Sequence, residues 1–161
     1  VEKINEFSHT VLVGPRAGCR DRNFNLKGFS SFFPRFDLEI IASETFRPET
    51  PVRLSEEGCF VRYRELISTS AKILMKTESG DPALISNGNI QYLAGWPDES
   101  AMENIFLRIF EDEKLSFKQM PEGIRERRNT GECFWFNYND FEVEFEGFKI
   151  PSANFIRREL K

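Results

Sequence analysis

The positions of apolar residues along the chain change period several times, and each change predicts an element. Val1, Ile4 and Phe7 recur at spacing three, which predicts the last turns of a helix. Thr10–Val13 is a short apolar run ending at Gly14-Pro15, the pattern of a buried strand that feeds a loop. That loop, Gly14 to Asp21, is basic and contains Gly14 and Gly18. Phe29, Phe32 and Phe33 predict one face of a short helix before Pro34. Leu38–Thr45 reads as a strand, Arg47–Pro51 as a break, and Phe60–Leu66 and Ala71–Thr77 as two further strands.

The sharpest local signal follows. Ala83–Ser86 and Asn89–Leu93 flank Asn87-Gly88, which predicts a hairpin with a type I′ turn. Ser100 and Glu103 then form a capping box. Met102, Ile105, Phe106, Ile109 and Phe110 make one apolar helical stripe facing a sheet. Pro121 and Gly123 mark a boundary, after which the period falls to two. Phe134, Phe136 and Tyr138 alternate with Trp135 and Asn137. Beyond a turn at Asn139-Asp140, Phe141, Val143 and Phe145 alternate with Glu142, Glu144 and Glu146. This predicts a hairpin with an aromatic buried face and an acidic wet one. Phe148–Ile150 and Ala153–Ile156 add closing strands. The chain therefore divides into an α/β part over residues 1–118 and a small antiparallel all-β domain over residues 119–161.

Composition narrows what this architecture does. Lys and Arg number 22 against 26 Asp and Glu, a net charge of −4 that argues against general nucleic-acid binding. No stretch approaches the ~18 apolar residues of a membrane span, and no signal peptide opens the chain. Cys19, Cys59 and Cys133 lie far apart without CxxC spacing. That excludes a disulfide framework and a zinc site, and predicts reduced thiols in a cytoplasmic protein. The chain starts at Val1 inside a helical pattern, so a piece of a longer polypeptide is expected. Seventeen Phe need a core, an interface or a ligand to cover them.

Catalytic chemistry finds little support. Cys19 stands between a strand and a possible helix, where thiol hydrolases and amidotransferases keep a nucleophile. Its activation needs a base, and the chain's single histidine, His9, precedes the same strand. The loop from Gly14 to Gly18 lacks the Lys-Ser/Thr of a P-loop and the third glycine of a dinucleotide fingerprint. Paired carboxylates carry no signal among 26 acidic residues, and a barrel that would place them needs at least ~200 residues. Trp96, Phe24 and the run Phe134–Tyr138 could stack on sugars, although alternating aromatics are more often core. No catalytic, cofactor-binding or metal-binding residue is expected.

The order of three stretches resembles the C-terminal part of bacterial β-galactosidases of glycoside hydrolase family 42. They are Val11-Leu12-Val13-Gly14-Pro15-Arg16-Ala17-Gly18; Gly80-Asp81-Pro82-Ala83-Leu84 followed by Asn87-Gly88-Asn89 and Tyr92–Asp98; and Pro121-Glu122-Gly123-Ile124 to Arg128 followed by Phe134–Tyr138. The likeness runs from about Thr10 to the end. The resemblance implies the second half of a flavodoxin-like or amidotransferase-like α/β layer of the trimerisation type, then a C-terminal β domain. It also implies an N-terminal barrel, outside this chain, that carries both catalytic carboxylates.

The expected role is thus non-catalytic: subunit assembly and bracing of the barrel in an enzyme that hydrolyses terminal β-galactosides. The partners would be that barrel and neighbouring subunits of a homotrimer, with no nucleic acid, membrane or cofactor. Arg16, Gly18 and Arg20 form the candidate interface loop. A layer cut through its sheet leaves apolar surface uncovered, so the isolated chain should self-associate. The alternative from a different class is a free-standing carbohydrate-binding module that uses the aromatics of the β domain.

Overall fold

The structure, a computed structural model, describes residues 6–17, 19–20, 23–25 and 36–159. The predicted helical turns at Val1 and Ile4, the helix at Phe29–Phe33 and the candidate residue Gly18 lie outside them. The chain divides into two compact units, Val1–Leu115 and Ser116–Lys161.

In the first unit, β1 (Val11–Val13), β7 (Ile90–Leu93), β6 (Pro82–Asn87) and β5 (Lys72–Lys76) form one sheet in that order. A second sheet contains β2 (Glu39–Thr45), β4 (Cys59–Ser68) and β3 (Val52–Arg53), with β8 (Gly95–Pro97) also paired to β4. Between them the strands cover every strand read from the sequence in this unit. The sequence pattern missed β3 and β8, which are too short to show a period. β1 runs parallel to β7, with Val11 opposite Ile90, and every other described pairing is antiparallel. Where an α/β part is expected, the unit is mostly β with one helix among the described residues, α1 (Glu99–Asp112). Of the parallel pairing that a flavodoxin-like layer has, the described strands include only that of β1 with β7.

The central hairpin β6–β7 exists, but its turn differs from the prediction. Asn87 pairs with Ile90, so the two turn residues are Gly88 and Asn89. Of these only Gly88 has positive φ, at 63°, the pattern of a type II′ rather than a type I′ turn. Asn89 is fixed elsewhere: its Nδ2 donates to the carbonyls of Phe7 at 2.5 Å and His9 at 3.1 Å. Its own carbonyl accepts from Val11 N at 2.8 Å. The turn therefore serves as the socket for the start of β1.

The helix cap is also corrected. The N-cap is Asp98, not Ser100, and its Oδ1 accepts from Ala101 N at 2.9 Å. The same carboxylate accepts from Cys59 N at 3.2 Å and Cys59 Sγ at 3.1 Å, tying the helix to β4. Ala101, Ile105 and Ile109 are the buried residues of α1. They join Leu54, Phe60, Met75, Leu84 and Leu93 in one core, while Phe36, Leu38, Ile67, Ile85, Ile90 and Tyr92 form another. The predicted stripe is rotated toward Ala101, which leaves Phe106 exposed at its edge.

The second unit departs further. β10 (Glu132–Asn137) pairs with β9 (Ile124–Arg128) and β13 (Asn154–Glu159), not with the Phe141–Glu146 segment. That segment contains β11 (Val143–Phe145), which pairs with β12 (Phe148–Ile150) across Glu146 and Gly147, both at positive φ. The sequence pattern missed β9, because Ile-Arg-Glu-Arg-Arg carries almost no apolar signal. The faces of β10 are inverted relative to the prediction: Cys133, Trp135 and Asn137 are buried, and Phe134, Phe136 and Tyr138 face outward. Both phases of this strand are aromatic, so period two alone does not choose between them. Asn137 decides. Its Nδ2 donates to the carbonyls of Phe141, Ile150 and Pro151 at 2.8, 3.0 and 3.1 Å, and its Oδ1 accepts from Asn139 N at 2.9 Å. A buried amide with every group satisfied holds the loops beneath the sheet.

Glu126 on β9 adds an electrostatic lock. It accepts from Trp135 Nε1 at 2.7 Å, pairs with Lys118 at 3.1 Å, and pairs with Arg128. Burial pushes its carboxyl up, but hydrogen bonds from Arg128, Trp135 and Lys118 outweigh it and hold the pKa at about 2. A depressed carboxylate stabilises the fold above its unfolded pKa, and that stability is lost as pH falls through the folded one. The melting temperature of this unit, followed by Trp135 fluorescence, is expected to drop as pH is lowered from about 4.5 toward 2. Glu126→Gln should flatten that part of the curve; an unchanged curve would remove Glu126 as its source.

Candidate interface and binding surfaces

Three surfaces stand out, and the first is the loop after β1. Arg16 sits there at φ 62°, a left-handed conformation that a side chain other than glycine adopts only when held. Its N–H donates to Glu65 Oε1 at 3.0 Å. Glu65 lies on β4 with 2% of its surface exposed. The hydroxyl of Tyr63 donates to its Oε1 at 2.9 Å, and the hydroxyl of Tyr92 to its Oε2. A β-bulge at Arg62, φ 67°, sets the phase so that Tyr63, Glu65 and Ile67 all turn inward. Both tyrosines are pushed above the usual phenol range by burial first and then by the carboxylate. Glu65 thus collects three donors on one buried side chain and anchors the loop.

Above this anchor the Arg16 guanidinium lies 5.8 Å from the Tyr63 ring centre, and Tyr63 lies 5.6 Å from Trp96. Trp96 is 48% exposed. Arg20 turns elsewhere, donating from Nη1 to the carbonyl of Phe24 at 2.7 Å. The structure therefore joins Arg16 to Tyr63 and Trp96 rather than to Arg20. Glu65 was missed by sequence reasoning; its signal is an acidic residue in the inward phase of an otherwise apolar strand.

The second surface is apolar. Leu12 of β1, Phe106, Ile109 and Phe110 of α1, and Leu115 line an open depression of about 430 Å³. Phe106 and Leu115 are 43% and 52% exposed. Glu113 ties its end, accepting from Thr10 N at 2.7 Å and Thr10 Oγ1 at 2.6 Å, with His9 Nδ1 at 2.9 Å. The hydrogen bonds from Thr10 and His9 hold the Glu113 carboxyl at about 2. His9 is engaged with Glu113, and no hydrogen bond joins it to Cys19 among the described residues. Burial and Asp98 push the Cys59 thiol up to about 11, away from the thiolate form. Among the described residues no cluster of His, Cys, Asp and Glu could hold a metal, and no helix is long and apolar enough to cross a membrane.

The third surface is the outward face of the β13-β10-β9 sheet. Phe134, Phe136 and Tyr138 form a row with ring centres 6.4 and 6.5 Å apart and interplanar angles of 21° and 27°. Phe155 of β13 packs 5.5 Å from Phe136.

No protein-family model matches the chain. A β-galactosidase from Thermus thermophilus is 29% identical over 89% of this chain and 23% of its own length. The β-galactosidase BgaA from a Thermus species is 25% identical over 89% of the chain and 23% of its own length. The crystal structure of a β-galactosidase from the psychrophilic Marinomonas ef1 superposes with a TM-score of 0.87 over 99% of this chain and 27% of that one, at 22% identity. Gan42B, a GH42 β-galactosidase from G. stearothermophilus, superposes with a TM-score of 0.67 at 16% identity, over 94% of this chain and 28% of its own.

The chain is similar to one part of these β-galactosidases, a family 42 enzyme among them. It spans about a quarter of the length of the relatives it matches. The solved structures show the shared fold, and the two Thermus proteins supply the sequence relation. The resemblance read from the ordered stretches at Val11–Gly18, Gly80–Asp98 and Pro121–Tyr138 is thereby confirmed at the level of the family.

Proposed function

We propose that this chain is the non-catalytic C-terminal portion of a β-galactosidase and that it serves assembly. Residues 1–118 would be the second half of a flavodoxin-like layer and residues 119–161 the closing β domain. The parent would hydrolyse terminal β-galactosides by a two-carboxylate mechanism in a barrel outside this chain, as a cytoplasmic homotrimer. Arg16 and Arg20 would lie at a contact between subunits, with the Arg16–Tyr63–Trp96 cluster supplying the residue types that dominate interface energies.

The supporting observation is the unfinished edge of the first unit. Among the described residues, β1 is a three-residue parallel strand at the end of its sheet. Parallel strands are normally covered on both faces and continued by further strands. Here Leu12 sits beside half-exposed Phe106 and Leu115 instead. Such an edge suits a layer whose other strands are supplied by the rest of a larger protein.

The test is the size of the native protein. An antibody to this chain, applied to a denatured extract of the source cells, is expected to detect a species about four times its mass, by the relatives' proportion. The isolated chain is expected to elute from a sizing column above its monomer mass. A single native band at the mass of 161 residues would overturn the reading.

A further inference from the structure

We propose that the outward face of the second unit is a binding site for a neutral oligosaccharide, with Tyr138 and Phe155 as its stacking platforms. This goes beyond the assembly reading and does not rest on it.

Four observations carry the proposal. First, Phe134, Phe136 and Tyr138 stack in a row along β10, and the outer end of the row is open: Tyr138 is 72% and Phe155 50% exposed. The C–H face of a pyranose is flat and apolar, and an aromatic ring is its natural complement. Second, the row ends in a depression of about 420 Å³ between Phe136, Tyr138, Ala153, Asn154 and Phe155. That volume falls among small-ligand sites, which span roughly 300–1,000 Å³ and combine apolar walls with a few polar groups. Third, a polar group is in place. Arg125 pairs directly opposite Phe136 on β9, so both side chains leave the same face of the sheet. Hydroxyls in the plane of a stacked sugar ring would meet its guanidinium. Fourth, Ala153 lines the depression at φ 47°, a conformation that alanine rarely takes, pinned by its N–H donating to Asn139 O at 2.9 Å. Backbone strain of this kind gathers where a ligand is held.

Other occupants fit less well. A protein partner needs about 800 Å² per side with a charge-depleted centre. Here the aromatic row is narrow, flanked by Arg125 and Arg127 on one side and by Arg157, ion-paired with Glu132, on the other. A nucleic acid would have to approach a chain of net charge −4.

The experiment titrates galactose, lactose and galactotetraose onto the full 161-residue chain, with saturation-transfer NMR and calorimetry as readouts. Saturable binding is expected, strongest for the longest sugar. Tyr138→Ala and Phe155→Ala should each raise Kd about three- to tenfold, with the melting temperature unchanged in Tyr138→Ala, whose side chain is 72% exposed. Tyr138→Phe should keep most of the affinity, since the ring is retained. No saturable binding by any of the three sugars would overturn the proposal, and so would binding that both alanine variants leave untouched. Self-association in sedimentation that Tyr138→Ala abolishes and no sugar displaces would overturn it too, and would assign the face to a second copy of the chain.

Discussion

Glu65→Ala is expected to cost the first unit about 4 kcal/mol, the largest effect of any single polar substitution in it. The argument is one of orphaned groups. Glu65 accepts from Arg16 N, from the Tyr63 hydroxyl and from the Tyr92 hydroxyl, with its own surface almost wholly covered. Removing the acceptor leaves the two buried tyrosine hydroxyls where water does not replace it, at about 1–3 kcal/mol for each, while the Arg16 N–H is only part-buried. Part of this is recovered by the Tyr63 hydroxyl, which also lies 3.2 Å from Ser43 Oγ. Glu65→Gln keeps one carbonyl acceptor but turns an amide toward a donor, so it should cost about half as much. Both variants should free the loop, since the left-handed Arg16 loses the bond that holds it. Urea unfolding of the first unit checks the magnitude, and a Glu65→Ala protein as stable as the parent would refute the anchor.

The second large effect is expected at Gly58, where two costs coincide. Its φ of 100° is strained for any residue with a side chain, and a Cβ built there would lie 2.5 Å from Ala101 N and 2.7 Å from Ala101 Cα. These are backbone atoms in the first turn of α1, so no side chain can swing away. The strain is worth about 1–3 kcal/mol, and forced overpacking adds about 1–3 kcal/mol. Gly58→Ala should therefore lower the melting temperature of the first unit by about 15 °C. Gly80 provides the control: its φ is 93°, yet nothing lies within 4 Å of the built position. Gly80→Ala carries the strain without the clash. If the two variants melt together, the close approach of Gly58 to the helix is not what limits this position.

What the sequence made legible followed from how one-sided each signal was. Apolar runs located β1, β5, β6 and β7, most plainly β6 and β7, which are buried on both faces and need no other signal. Where two candidates competed, pattern alone chose wrongly. Asp98 and Ser100 both suit a helix cap, and Asp98 wins because it also serves Cys59 on a strand 39 positions away. Gly88 stands in both possible turns, and Asn89 is claimed by the carbonyls of Phe7 and His9. In β10 both phases are aromatic, and the buried one is fixed by an asparagine, a residue that polarity alone would place outside. The candidate loop was half legible: its arginines stand out, but Glu65, Tyr63 and Trp96 come from strands far along the chain. The family was legible because order and spacing across the whole chain carry information that no single motif does.

The socket that receives β1 has a kinetic side. Strands β5 to β7 and helix α1 follow one another closely, and each can form with its sequence neighbour. β1 cannot. Its docking joins Phe7 to Asn89, 82 residues apart, and Thr10 to Glu113, 103 residues apart. Loop-closure entropy must be met before those contacts form, so β1 is expected to be the last strand to arrive and the first to leave. Three paired residues and a polar clasp hold it, while the hairpin beneath it is buried on both faces. The edge that this unit turns outward is also its least persistent part, so the order of that edge depends on whatever docks beside it.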